Sequence, residues 1–212
     1  FPLSGDGKDF NRSLHDFSMR LISTKASFPK ESWIRKGVVT KDLRIPVQGV
    51  TKIKSHGVEG VDYNVARLYT PMRAAASRQK RPMLFYINGG GFCILDARMI
   101  AYDMFLIELC HRLDIYILSI NYRMSPEYTY PVPMEDAYRA LTWLGEPVSQ
   151  TPDNVPVEAD RNQIVVMGDS AGGNLTAVLS MLYRDRSPKG VRIVHQIPIY
   201  PAFHKRPRTP CR

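Results

Sequence analysis

Ile164-Val165-Val166-Met167-Gly168-Asp169-Ser170-Ala171-Gly172-Gly173-Asn174-Leu175 decides how this chain is read. Four apolar residues, two of them β-branched valines, make a short run suited to a strand buried on both faces. The run breaks at Gly168, and apolar positions resume at helical spacing through Leu175 and Val178. Strand, tight turn and helix form the context in which G-x-S-x-G presents a nucleophile: the serine is pushed out on a strained turn, and the flanking glycines remove side chains that would collide there. The start of the following helix aims backbone N–H groups and its positive end at any anion forming above Ser170. Two other uses of such a loop fail on their own residues. Gly168 to Gly173 has phosphate-loop spacing, but Asn174 and Leu175 stand where Lys and Ser or Thr are required. The dinucleotide fingerprint fails because position 170 is serine, which leaves a purely structural glycine turn as the alternative.

Working outward, residues 83–87, 115–120, 164–167 and 191–197 are short apolar runs, separated by helical stretches over 100–113, 133–144 and 172–184. This alternation predicts an α/β fold with a mostly parallel sheet flanked by helices, and such sheets gather their chemistry at the carboxyl ends of the strands. Asn88-Gly89-Gly90-Gly91-Phe92 leaves the first of these strands, and three successive glycines there let the backbone expose N–H donors. Upstream, 50–54 and 63–69 read as an antiparallel strand pair joined through His56, Gly57 and Gly60. Phe10, Leu14, Phe17 and Leu21 lie on one face of an amphipathic helix that Pro29 ends.

Composition narrows the function classes. The chain has 212 residues, 44 % hydrophobic and 23 % charged, which suits a globular fold and excludes fibrous or wholly disordered polymers. No apolar stretch approaches the ~18 to 20 residues of a membrane-spanning helix. Twenty-nine basic against 20 acidic residues give +9, but the excess sits in Arg73, Arg78, Lys80 and Arg81 and in the final residues from Lys205 to Arg212. Neither cluster is laced with aromatics, so the reading is of solvated segments and of no nucleic-acid partner. Cys93, Cys110 and Cys211 have no metal-ligand spacing, so no metal, no disulfide framework and no cofactor are expected, and the thiols are read as reduced and mostly buried.

The ordered combination of Tyr86-Ile87-Asn88-Gly89-Gly90-Gly91-Phe92, Ser119-Ile120-Asn121-Tyr122-Arg123-Met124-Ser125-Pro126-Glu127, Tyr130-Pro131-Val132-Pro133 with Glu135-Asp136, and Gly168-Asp169-Ser170-Ala171-Gly172-Gly173-Asn174-Leu175 resembles the hormone-sensitive-lipase-like branch of the α/β-hydrolases. Within that branch it is similar to the arylacetamide deacetylase and neutral cholesterol ester hydrolase group. The resemblance, from about Arg67 to Ala202, implies a serine carboxylic ester hydrolase of the esterase, lipase or deacetylase type. It makes Ser170 the acylated nucleophile, assigns the oxyanion hole to the N–H groups of Gly89, Gly90 and Ala171, and implies a small apolar ester or amide substrate. It also implies a cap over the acyl pocket that includes the helix near Phe10, and structural roles for Tyr122, Arg123, Glu127 and Asp136. Members of the group are often anchored by an N-terminal segment, so membrane association through a segment preceding Phe1, and the endoplasmic reticulum membrane or lumen or the cytoplasm, are what it implies for location. The expected organisation is a cap segment over 1–45, a partial hydrolase core over 46–203 and a basic tail over 204–212.

Two departures from the family pattern stand out. Asn88 replaces the histidine that usually opens the glycine triplet; because the donors are backbone groups and an amide can also brace a loop, the expected effect is small. In the family order, an acid and then a histidine follow the serine on loops after two later strands. Only 42 residues follow Ser170 here, filled by one helix, one strand and the basic tail, so triad acid and base are absent from their family positions. His195 reads as a packed core histidine inside a strand, and His204, just past a strand end in the tail, is a substitute base of low standing. Losing a triad histidine costs about a millionfold in turnover. The expectation is therefore a fragment of a longer hydrolase or the product of a truncated or mis-spliced message, with a catalytically inactive hydrolase-like ligand-binding or interaction protein as the alternative.

Overall fold

The computed structural model describes residues 37–47, 63–147 and 155–203. The helix expected near Phe10, the strand expected over 50–54, and the tail with His204 lie outside the described residues.

Among the described residues six strands form one sheet: β1 (Val38–Pro46), β2 (Tyr63–Pro71), β3 (Arg81–Ile87), β4 (Tyr116–Ile120), β5 (Ala159–Asp169) and β6 (Ile193–Ile199), in the spatial order β1-β2-β4-β3-β5-β6. β1 and β2 are antiparallel, β2 runs antiparallel to β4, and β4, β3, β5 and β6 are mutually parallel. The central strands are the uninterrupted apolar runs: every residue of Met83 to Ile87 and of β4 is buried. Helix α1 (Met72–Ser77) is a short turn after β2, while α2 (Ile100–Leu113), α3 (Val132–Leu144) and α4 (Ala171–Arg186) are the crossovers between parallel strands.

The strand order explains which face each helix covers. The chain moves one way from β3 to β4 and the opposite way from β4 over β3 to β5 and on to β6. Right-handed crossovers then place α2 on one face and α3 and α4 on the other. Leu106, Ile107 and Cys110 of α2 accordingly pack with Tyr69, Leu84, Tyr86 and Ile117. Met134, Ala137, Leu141 and Trp143 of α3 and Leu175 and Leu179 of α4 pack with Met83, Phe85, Ile87, Leu118, Ile164 and Val166. The connections from β3 and β5, adjacent strands, therefore leave to opposite faces. That divergence opens a crevice at the carboxyl ends of these two strands, where α/β sheets bind their ligands.

Three expectations need correction. Both edges of β2 are taken by antiparallel neighbours other than 50–54: β4 on one side and, on the other, β1, paired from Val38 opposite Pro71 to Pro46 opposite Tyr63, so the boundary expected at 45/46 falls inside a strand of the sheet. His195 lies in a strand as expected but is exposed, because among the described residues β6 is the outermost strand and no described helix covers its α2-side face; Ile197 on that strand is 39 % exposed. The basic link is partly built in: Met72–Ser77 is helical, and Arg81 joins β3 and donates to Asp114 at 2.9 Å.

Candidate active site

Ser170 caps β5 and opens α4 with φ 51° and ψ −115°, a conformation that L-residues seldom adopt and that projects the side chain away from both elements. The turn is held by backbone bonds: Ser170 N–H donates to Ile199 O at 3.0 Å, and Ser170 O accepts from Asn174 N at 3.0 Å and Ala202 N at 2.9 Å. The glycines are required by contact. A Cβ on Gly172 would lie 2.0 Å from Ile87 O, and one on Gly168 would lie 2.5 Å from Gly172 O. Elbow and β3 thus touch through backbone, which brings the glycine loop after β3 beside Ser170.

That loop turns through positive φ at Gly90 (111°), Gly91 (61°) and Phe92 (62°). Gly90 O accepts from Cys93 N at 3.0 Å and Ile94 N at 2.9 Å, closing the turn. Asn88, 1 % exposed, donates from Nδ2 to Gly89 O at 3.0 Å, so the amide braces the loop. Tyr122 O–H donates to Asn88 O at 3.0 Å from below. Arg123 forms a buried pair with Asp136 (Nη2 to Oδ1 2.5 Å) that ties the segment after β4 to α3. The amides of Gly90 and Ala171 have no hydrogen-bond partner among the described residues, whereas Gly89 N–H donates to Asp169 Oδ1 at 3.0 Å and to Tyr102 O–H at 3.0 Å.

Asp169, Tyr86 and Tyr102 form a cluster that sequence reading missed. Tyr86 O–H donates to Asp169 Oδ1 at 2.8 Å and Tyr102 O–H to Asp169 Oδ2 at 3.0 Å, with the two rings 5.8 Å apart. Burial raises both phenols above their ordinary range, and the neighbouring Asp169 raises them further, so both remain neutral donors. A signal was available: an aspartate ending a buried apolar strand needs partners. The partners themselves are 67 and 83 residues distant in sequence.

No base is placed on Ser170 within the described residues, and its Oγ has no hydrogen-bond partner there. His111 lies near the end of α2, at the opposite end of the sheet. His195 pairs with Val165, five positions before Ser170, which at ~3.3 Å per residue sets it roughly 16 to 17 Å away. Among the described residues there is no group of three His, Cys, Asp or Glu able to hold a metal, and no helix long and apolar enough to cross a membrane. Asn174-Leu175-Thr176 matches a glycosylation sequon, but Asn174 lies inside α4, where Nδ2 already donates to Ala202 O at 3.1 Å.

A family profile describing the alpha/beta hydrolase fold matches residues 84–212. Arylacetamide deacetylase of Oryctolagus cuniculus is 41 % identical over 139 residues, covering 65 % of this chain and 33 % of that protein. Probable carboxylesterase 6 of Arabidopsis thaliana is 34 % identical over 146 residues, covering 68 % and 43 %. Among solved structures, an esterase of Pyrobaculum calidifontis superposes with a TM-score of 0.65 at 27 % identity, over 95 % of this chain and 55 % of that one. A thermostable carboxylesterase cloned from a metagenomic library gives 0.64 at 29 %, over 95 % and 57 %. The chain thus spans about a third of the length of the arylacetamide deacetylases it matches. A serine elbow and a glycine loop meeting at the crevice of a sheet of this order, with these relatives, place the chain in the α/β-hydrolase fold family, in its hormone-sensitive-lipase-like branch beside the arylacetamide deacetylases.

Proposed function

We propose that Ser170 is the nucleophile of a carboxylic ester hydrolase acting through an acyl-Ser170 intermediate. Ser170 Oγ attacks the carbonyl carbon, the tetrahedral oxyanion is held by backbone N–H groups, and the alcohol or amine leaves as the acyl–Oγ bond remains. Water then releases the carboxylic acid and restores the serine. The observation that carries the reading is the strained φ of Ser170 beside a glycine loop with free amides. The relatives named for arylacetamide deacetylation and carboxylester hydrolysis support a small, fairly apolar ester or amide as substrate.

The proton taken from Ser170 needs an acceptor, and neither described histidine reaches it, so His204 or a group outside the described residues has to supply it. The partnerless Oγ equally favours the second reading, an inactive ligand-binding relative. One experiment separates them: treatment of the purified chain with a fluorophosphonate, alongside hydrolysis of a short p-nitrophenyl ester, for wild type and Ser170→Ala. Wild-type labelling and turnover that the substitution abolishes support the nucleophile, and His204→Ala then identifies or eliminates that base. A folded wild-type chain that neither labels nor turns over would favour the inactive relative.

A further inference from the structure

The excess positive charge of the described residues is gathered at the end of the sheet opposite Ser170. The amino ends of β3, β4, β5 and β6 meet there with the carboxyl end of antiparallel β2, and neighbouring strands ~4.8 Å apart make this a strip roughly 20 Å long. Arg78 and Lys80 precede β3, Arg112 stands before β4, and Lys189 and Arg192 precede β6; all are exposed. Arg112 lies in the last turn of α2 and pairs with Glu108 at 2.6 Å, so the helix end and that carboxylate account for it. Arg78, Lys80, Lys189 and Arg192 lie outside the helices, and their side chains have no ion-pair partner among the described residues. The described acids of this end are half-buried apart from Asp185, which pairs with Arg184 at 2.7 Å. At the crevice end Glu127 and Glu135 are exposed against Arg44, so the two ends differ in sign.

Apolar side chains stand among these cations. Met72 after β2, Leu113 before β4 and Val157 before β5 are 48 %, 57 % and 62 % exposed. They are spaced singly along the strip and form no groove that would seat a helix or a strand. Cations interspersed with single apolar side chains suit a bilayer surface, where the charges meet anionic headgroups and the apolar groups enter the headgroup layer. The strip is tied together by backbone bonds: Met72 N–H donates to Gly37 O at 2.9 Å, Arg81 N–H to Glu158 O at 2.8 Å and Arg192 N–H to Arg161 O at 2.8 Å. Single-stranded nucleic acid asks for aromatic platforms, and the exposed aromatics Phe105, Tyr130, Tyr200 and Phe203 all lie away from this end.

We propose that this end of the sheet docks on an anionic phospholipid bilayer, with Arg78, Lys80, Lys189 and Arg192 against the headgroups and Met72, Leu113 and Val157 entering between them. The crevice with Ser170, at the other ends of the same strands, then faces the aqueous side. None of these residues touches the crevice, so docking is measurable whether or not Ser170 is reactive.

The test is co-sedimentation of the full chain with sucrose-loaded vesicles of phosphatidylcholine containing about one third phosphatidylserine, beside vesicles of phosphatidylcholine alone. Wild type should partition onto the anionic vesicles roughly tenfold or more above the neutral ones, and raising salt from about 0.1 to about 0.5 M should remove most of that preference. At about fivefold per charge, Arg78→Glu, Lys80→Glu, Lys189→Glu and Arg192→Glu combined should weaken binding by roughly a hundredfold or more. These positions are exposed, so the fold should be retained, as circular dichroism and thermal melts would verify. The tail supplies a control of equal charge: Lys205→Glu, Arg206→Glu, Arg208→Glu and Arg212→Glu combined should cost about tenfold at most. Leu113→Ser with Val157→Ser should weaken binding roughly tenfold and leave its salt dependence unchanged. Folded wild type that ignores anionic vesicles at low salt would overturn the proposal, and heparin retention in its place would assign the strip to a soluble polyanion. Equal losses in the strip and tail variants would also overturn it, since net charge alone would then be read.

Discussion

Removing the carboxylate of Asp136 should unfold much of this protein's margin of stability, and the size of the loss follows from what Asp136 touches. It accepts from Arg123 through the backbone N (2.8 Å), Nε (2.8 and 3.0 Å) and Nη2 (2.5 Å), and the two side chains are 1 % and 5 % exposed. Burial works against the charge on Arg123; the hydrogen bonds and charge of Asp136 more than offset it and hold the guanidinium above its ordinary range. In Asp136→Ala the burial cost remains, relieved in part by the Tyr128 ring 5.3 Å from the guanidinium carbon and by the charge of Glu135. Breaking such a pair from one side costs about 3 to 5 kcal/mol, against a total of about 5 to 15 kcal/mol. With a urea slope of about 2 kcal/mol per molar, the midpoint should fall by roughly 1.5 to 2.5 M, read by tryptophan fluorescence and circular dichroism. Replacing both partners, Arg123→Met with Asp136→Leu, should recover most of the loss because no charge is left buried. An Asp136→Ala midpoint within about 0.5 M of wild type, or a double variant no better than the single, would refute the reasoning. Fluorophosphonate labelling should fall in the single variant, since Tyr122, which supports the glycine loop, is the residue adjacent to Arg123.

Ser170→Gly should raise stability while abolishing labelling, because a positive φ with ψ −115° is costly for serine and free for glycine; a gain of about 1 kcal/mol, or ~2 to 4 °C in Tm, is expected from thermal melts, and a loss would mean the elbow is not strained. Cys110 is buried, and burial, with Asp114 nearby, pushes its thiol up to about 12 from 9.0. A folded pKa raised above the unfolded value gives stability that is complete below pH 9 and lost as pH rises toward 12. Between pH 8 and 11 wild type should therefore lose roughly 3 kcal/mol more than Cys110→Ala in urea titrations, and parallel losses would show that the thiol does not titrate differently on unfolding.

What the sequence disclosed depended on how local each signal was. β3, β4, β5 and the elbow are legible because a strand buried on both faces must be apolar throughout, and a backbone contact as close as Gly172 to Ile87 admits nothing larger than glycine. β1 was missed because Lys41, Asp42 and Arg44 point outward along an edge strand and only Val38, Leu43 and Ile45 are buried. The exposure of His195 depends on what covers β6, which no property of residues 191–197 encodes. Asn88 could be read as a brace because its partner is the next residue, whereas the Asp169 cluster joins strands and a helix distant in sequence. Tyr102 lies one turn into α2 and looks like any half-buried helical aromatic until β5 is beside it.

The backbone contact between the two loops also orders events in time. The elbow, from Ile164 to Leu175, is local in sequence, but Gly168 and Gly172 close against Ile87, about eighty positions earlier, through the parallel pairing of β3 with β5. Long-range parallel pairings carry a loop-closure cost and form slowly relative to local turns. During refolding, a helix signal from α4 should precede any reactivity at Ser170, and the appearance of reactivity would clock the closing of the sheet.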